Sequence, residues 1–399
     1  MRGIDSETID LIYLDPPFNK KKKFKSPLGR PAKGAEFKDI WTDEDVRYGQ
    51  YSQIAADYPQ IHQIILAAEH TYDRSMMIYL MAMSIRLVEM HRILKPDGSI
   101  YLHCDPTASH YLKLVMDAIF DKEAFRNEIA WCFRGGGVPK NAFARKHHIL
   151  LFYAKSRNNY FDKQYVPYSE ASQNLVENRG GVSIDGIERD LDRGASMPDW
   201  WTDINSLQTW SPERTGWPTQ KPLALLKRII KTSSHKNDIV LDPFCGCATA
   251  CIAAEQLGRQ WIGIDIAAKA ETITKNRLLE EVQPLQTEFW HDIEARVTVT
   301  SEVPIRTDIH AYQEELRQLR LPHYRVHKNT LYGQQEGYCN GCHRHYEIKD
   351  FTVDHKTPHS QGGTDHVENL QLLCQNCNAI KGDRSQEYLD ERLRERGIL

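Results

Sequence analysis

Apolar and polar positions along this chain switch between two periods, and the switches predict its elements. Ile9-Asp-Leu-Ile-Tyr-Leu14 is a short run rich in β-formers that stops at Pro16 and Pro17. It predicts a buried strand ending in a rigid turn. Residues 26–60 are polar and loop-like, with Trp41 and tyrosines scattered among them. From Tyr72 to Leu94, Met76, Ile78, Tyr79, Met83, Ile85, Leu87 and Met90 fall at helical spacing, and Leu94-Lys-Pro-Asp-Gly98 ends that helix in a turn. Ser99–His103 then reads as a strand, Leu112–Phe120 as a helix, and Glu128–Phe133 and His148–Tyr153 as two further strands. Helices alternating with strands indicate a three-layer α/β domain.

The pattern breaks at residues 134–218. Gly135-Gly-Gly137, Gly180-Gly181 and the tryptophans 200, 201, 210 and 217 mark a long irregular insert, in which at least two tryptophans are expected to build core. Regularity returns at residues 239–266 as strand, small-residue turn, a helix over Thr249–Leu257, strand and acid. Residues 296–335 carry Val, Thr and Ser, a helix-like Tyr312–Leu319, then Arg317, Arg320, Arg325, His327 and Lys328, which reads as a linker.

Two stretches carry chemistry. Asp15-Pro16-Pro17-Phe18 stands at a strand's carboxyl end, where open α/β sheets bind ligands. An exocyclic amino group on a nucleobase is a poor nucleophile because its lone pair is spread into the ring. The Asp15 carboxylate and the Pro16 carbonyl, aimed by the fixed φ of proline, can accept its two N–H groups. Phe18 offers a face for a base taken out of the duplex. By itself Asp-Pro-Pro is more often a plain turn. In the second stretch, Gly246 lets the backbone approach a ligand closely. Asp265 follows it by 19 positions, near the spacing at which an acid bonds ribose hydroxyls. No phosphate-cradling lysine and no full G-x-G-x-x-G accompany it, which favours an adenosine without phosphates over NAD or ATP.

With these motifs the chain resembles the amino-group DNA methyltransferases that use S-adenosylmethionine. Asp15–Phe18 looks like their catalytic motif, and Asp242-Pro-Phe244-Cys-Gly246-Cys-Ala248-Thr249 like their cofactor loop. Thr219-Gln-Lys221-Pro222, followed by a helix over Leu223–Thr232, looks like the cofactor segment that precedes that loop. The order, catalytic motif first, is that of the permuted beta class, and Asp-Pro-Pro-Phe in this family favours adenine. The resemblance implies a Rossmann-like α/β methyltransferase fold over residues 1–295, with 134–218 as the target-recognition insert. It rates His103 and Asp105 as structural. Two departures stand out. Ala248 replaces the loop's second glycine, and would be strained if its φ is positive. Relatives also carry a strand and an acid ahead of the catalytic strand; Met1 stands close to Ile9, which predicts weakened cofactor binding or a true start further upstream.

Composition narrows the picture. At 399 residues the chain has room for two or three domains. Hydrophobic content of 41% and charged content of 26% are ordinary for a globular protein. No apolar run suggests a membrane span and the start is no signal peptide, so a cytoplasmic protein without membrane contact is expected. A net charge of −3 leaves DNA binding to local patches, of which Lys20–Lys25 is one.

Among nine cysteines, Cys339-x-x-Cys342 and Cys374-x-x-Cys377 are grouped. In a cytosolic chain this spacing argues for a structural Zn²⁺ stapling a small unit. Cys245, Cys247 and Cys251 sit in the cofactor turn and read as small buried fillers. Between and after the pairs lie Asp354-His355, Glu368-Asn369, Asn378 and Lys381-Gly382, which together resemble the HNH nucleases and imply a zinc-stapled ββα-metal domain over residues 336–399, joined by 296–335. On that resemblance Asp354 and Asn378 hold Mg²⁺ or Mn²⁺, His355 is the general base and Asn369 holds the loop that aims it.

The expected protein is a site-specific adenine-N6 methyltransferase of double-stranded DNA fused to a metal-dependent endonuclease, with a homodimer left open. Competing readings are a cytosine-N4 enzyme whose zinc domain only grips DNA, and an inactive remnant.

Overall fold

The computed structural model describes residues 1–26, 30–46, 48–135, 137–178, 192–282, 297–304, 306–308 and 324–399. Gly136, Gly180-Gly181, the expected helix Tyr312–Leu319 with Arg317 and Arg320, and the expected boundary at 295 lie outside the described residues.

In chain order the strands are β1 (Ile9–Leu14), β2 (Lys22–Lys25), β3 (Glu36–Asp39), β4 (Leu94–Cys104), β5 (Phe125–Cys132), β6 (His147–Ala154), β7 (Tyr165–Val166), β8 (Ala195–Ser196), β9 (Trp200–Trp201), β10 (Ile239–Asp242) and β11 (Gln260–Gly263). The helices among them are α1 (Tyr48–Asp57), α2 (Pro59–Thr71), α3 (Arg74–Ile93), α4 (Ser109–Phe120), α5 (Glu170–Glu177), α6 (Leu223–Ser233), α7 (Thr249–Gln256) and α8 (Ala268–Arg277). Seven strands form one mixed sheet in the order β11-β10-β1-β4-β6-β5-β9. β1 pairs in parallel with β10 and β4, while β6 runs antiparallel to β4 and β5.

The central strand explains its own sequence. Ile9, Ile12 and Leu14 point into one core with α2, α3 and α4, and Leu11 and Tyr13 into a second core with α6 and α7. A parallel strand covered on both faces reads as a continuous apolar run. The long helix is anchored by Asp73, whose carboxylate accepts the Met76 N–H at 2.9 Å.

Several elements differ from the sequence expectation. Residues 26–60 are not all loop, because β3 closes a hairpin on β2 and α1 follows. Lys22, Lys23 and Lys25 of that hairpin are exposed, so it carries no apolar alternation. The expected turn at Leu94–Gly98 lies inside β4. Register passes from Ile9 opposite Leu94 to Leu11 opposite Ser99, so Lys95–Gly98 form an irregularity within the strand. In the insert, Trp201 and Trp217 are buried and Trp200 and Trp210 exposed. β9 adds itself to β5, setting Trp201 beside Trp131, which no local pattern encodes.

The C-terminal unit is a hairpin of β12 (Phe351–His355) and β13 (Leu370–Cys374) followed by helices Gln375–Lys381 and Gln386–Glu395. Its core holds Phe351, Leu370, Leu372, Leu389 and Leu393. Helix Lys328–Gln334 packs against both β13 and α1. No helix among the described residues is long and apolar enough to cross a membrane.

The turn after β1 is held from a distance. Asp39, buried at the end of β3, accepts the backbone N–H groups of Phe18, Asn19 and Lys20 at 3.2, 2.7 and 2.9 Å. Burial pushes its carboxyl above the ordinary range although these donors pull it down. Asp39→Ala strands three amides, and we expect a loss of about 3 kcal/mol of stability in chemical denaturation. Asp39→Asn, which keeps one acceptor oxygen, loses less.

Candidate active sites

The register of β1 and β10 pairs Leu11 with Val240 and Ile12 with Leu241, so their carboxyl-terminal turns leave the sheet side by side. Between them opens a cavity of about 750 Å³ lined by Asp15, Phe18, Lys221, Asp242, Gly246 and Asp265, among others. Pro16, Pro17, Phe244 and Thr249 line it too, while Pro222 caps α6 and Ala248 caps α7 behind the wall.

The glycine turn is tight. A Cβ on Gly246, at φ +53°, would lie 2.6 Å from Trp217 Nε1. Ala248 adopts φ +58°, ψ +33°, the left-handed conformation that costs a residue with a Cβ roughly 1–2 kcal/mol. Asp265 accepts the Gly246 N–H at 2.8 Å and the Ala267 N–H at 2.7 Å, tying the acid loop to the glycine turn. Ile266 beside it is fully exposed at the cavity rim. Underneath, the buried Arg277 donates to Cys247 O at 2.7 Å and Thr249 Oγ1 at 3.0 Å while pairing with Glu281 at 2.6 Å. Burial pushes the Asp242 carboxyl up to about 8, against the pull of the Phe244 N–H. Cys247 and Cys251 are buried fillers as expected, and Cys245 is half-buried.

Beside the turn after β1, Lys221 bonds the Asp15 carboxylate. Asp15 Oδ1 is buried with no hydrogen-bond partner among the described residues. Burial raises the Asp15 carboxyl; the Lys221 ammonium, and behind it Lys20, oppose that rise. Phe18 is buried, with the ammonium groups of Lys20 and Lys221 at 5.1 and 5.5 Å from its ring centre. Behind it stand two neutral histidines. Tyr13 Oη and His103 Nδ1 are 2.8 Å apart, and His103 Nε2 lies 3.0 Å from His148 Nδ1. Burial, then the Lys221 charge, holds both rings unprotonated, with His148 pushed down to about 3. His103 is therefore core, as expected, although its Nδ1 stands 3.9 Å from Asp15 Oδ1. In the lysine run, Lys20 pairs with Asp105, Lys21 with Asp73 and Lys25 with Glu36.

In the C-terminal unit the sulfurs of Cys339, Cys342, Cys374 and Cys377 lie within 4.8 Å of one another, and this tetrahedral-type set fits Zn²⁺. Asn369 accepts the Thr357 N–H and donates to Thr357 O and Thr364 O, all at 2.9 Å, and so holds the loop after His355. His355 Nε2 lies 2.7 Å from Asp365 Oδ1. The Asp354 Oδ2 faces Lys381 Nζ at 3.1 Å and Gln371 Nε2 at 3.0 Å, so a buried lysine already balances that carboxylate. Asn378 lies one helical turn before Lys381 and shares its face.

Asp39, Arg277, His359 and Asp365 were not singled out from the sequence. The first two act through residues far away in the chain and leave no local signal. His355-x-x-x-His359 has a ligand-type spacing that could have been noticed.

The model of the DNA methylase family matches residues 9–276, and that of the HNH endonucleases residues 339–384. Type II methyltransferase M.HpaI of Haemophilus parainfluenzae is 24% identical over 282 residues, covering 70% of this chain and 71% of the relative. DNA adenine methyltransferase YhdJ of Escherichia coli is 27% identical over 271 residues, covering 67% and 74%. The solved cytosine-N4-specific PvuII DNA methyltransferase superposes with a TM-score of 0.39 at 16% identity, covering 70% of this chain and 88% of that one. The chain thus belongs to the DNA methylase family, the N6/N4 amino-methyltransferases, and carries an HNH domain after it.

Proposed function

We propose that the chain methylates the exocyclic amino group of adenine N6 in double-stranded DNA from S-adenosylmethionine, and that its HNH domain hydrolyses DNA with Mg²⁺ or Mn²⁺. The observation that carries the first half is the Lys221 ammonium on Asp15: the carboxylate already binds an N–H donor in a cavity that the glycine turn also lines. A target amino group would take that donor's place, so Lys221 and Lys20 must withdraw from Phe18 before a base can stack there.

S-adenosylmethionine supplies an electrophilic methyl group on a sulfonium. Gly246, Phe244, Thr249 and the Asp265 loop would hold its adenosine and amino-acid ends, with Asp242, Pro222 and Ala248 shaping the wall. Asp15 and the Pro16 carbonyl accept the N–H groups of the target, Pro17 fixes the turn, and the nitrogen lone pair forms the new N–C bond as the S–C bond breaks. Asp15 stabilises the developing positive charge, and the extra proton leaves to solvent. Adenine is favoured by the Asp-Pro-Pro-Phe pattern and by the adenine-directed relative.

The proposed layout is residues 1–295 for methyl transfer with 134–218 reading the target sequence, 296–335 as linker and 336–399 as nuclease. Zn²⁺ on the four cysteines would be structural. Asp354, through the oxygen that Lys381 does not hold, and Asn378 would carry the catalytic ion. His355 donates Nε2–H to Asp365, which leaves Nδ1 to accept a proton from water.

Nucleoside mass spectrometry of unmodified DNA, incubated with protein and S-adenosylmethionine but no divalent metal, tests the first half. We expect N6-methyladenine, reduced by at least about 10²-fold in Asp15→Ala. N4-methylcytosine would replace the target, and no methylated base at all would sink the reading. With Mg²⁺ added, linear products from a circular plasmid should appear and fall by about 10²–10⁴-fold in His355→Ala. A His355→Ala protein that cuts as fast as the parent removes the nuclease reading.

A further inference from the structure

The four cysteines have a counterpart in the same unit that hydrolysis at Asp354 and Asn378 does not use for ligation. His355, His359 and Asp365 each present one donor atom, all within 4.8 Å of one another. His355 Nε2 and His359 Nε2 converge on a single carboxylate oxygen, Asp365 Oδ1, at 2.7 and 2.8 Å. The two imidazole rings stand 4.4 Å apart at 55°. With a cation between the three groups, both ring nitrogens and the carboxylate act as lone-pair donors.

The backbone fixes the donors before any ion arrives. His355 ends β12, His359 opens a short 3-10 turn, and Asp365 follows Thr364. Asn369 ties Thr357 to Thr364 through three hydrogen bonds, one anchor before His359 and one before Asp365. Gly363 completes the loop, since a Cβ there would sit 1.8 Å from Thr357 O. Such orientation from outside the ligand set is what metal sites need. Two imidazoles and one carboxylate suit a borderline transition ion and not the hard Mg²⁺.

We propose that His355, His359 and Asp365 bind a divalent first-row transition ion of the zinc class, at a site separate from the four cysteines and from Asp354 and Asn378. Three protein donors leave a coordination position open to water. The ion would also act on the nuclease. Without it, the His355 proton resides on Nε2 and Nδ1 is free to accept. With an ion on Nε2, the ring proton moves to Nδ1 and that acceptor is lost. This consequence rests on His355 being the base; the binding does not.

Equilibrium dialysis of the untagged full chain against Zn²⁺, with bound zinc counted per chain, tests the site. We expect one zinc beyond that held by the cysteines. His359→Ala and Asp365→Ala should weaken it by more than the roughly 10–100-fold that losing an outer-sphere partner costs, and Asn378→Ala should keep it. His359 is exposed, so its replacement does not threaten folding. A wild-type chain that binds only the cysteine zinc, or an extra zinc that survives His359→Ala and disappears in Asn378→Ala, overturns the proposal. In the Mg²⁺ cleavage assay, added Zn²⁺ should suppress cutting by the parent and not by His359→Ala. Extra zinc that binds through His359 while cutting continues would uphold the site and refute His355 as the base.

Discussion

The parallel pairing of β1 with β10 is the constraint on which the methyltransferase unit depends. These strands lie far apart in sequence and adjacent in the sheet, with Ile12 opposite Leu241. That register brings the Asp15 turn and the Asp242 turn to one edge and creates a cavity neither could form alone. β1 contributes to both cores, as β4, β6 and β10 do. A one-residue slip would exchange its two faces and break both cores together with the site, so burial on two sides enforces the register.

Both units use the same electrostatic arrangement. In each, a carboxylate at a strand's carboxyl end is balanced by a lysine that is itself buried: Asp15 by Lys221, and Asp354 by Lys381. Removing either partner leaves an uncompensated buried charge, which costs far more than the pair itself contributes. The lysine of the Thr-Gln-Lys-Pro segment and that of Lys381-Gly382 thus belong to acids more distant in the chain. Lys381 also donates to the His355 carbonyl at 2.7 Å, fixing the strand end from which the imidazole projects. Arg277 plays a third such part beneath the glycine turn, holding the Cys247 carbonyl and Thr249 in place.

Side-chain to backbone bonds set the remaining geometry. Asp39 gathers three amides after the Pro-Pro turn, Asp265 gathers two at the glycine turn, and Asn369 makes three bonds across the loop that carries His359 and Asp365. Each loop is too irregular for ladder pairing, and one short polar side chain satisfies its backbone groups instead.

The sequence alone determined the elements whose chemistry is local. The apolar run of β1 ends at two prolines, the methionine-rich helix keeps its period, Gly246 stands 19 positions before Asp265, and the cysteine pairs announce a metal staple. Periodicity, fixed φ and ligand spacing act between neighbours, so they are legible without a fold. The position of Ala248 was readable in the same way, and its positive φ follows from the turn it occupies. The tertiary structure decided what depends on meeting partners: that Lys221 bonds Asp15, that Asp39 closes the turn after Phe18, that Lys95–Gly98 bulge within β4, and that His355 and His359 converge on Asp365. The hairpin of exposed lysines carries no apolar alternation, and buried ion pairs join residues from separate elements. Their physical cause is proximity in three dimensions, which a linear pattern does not contain.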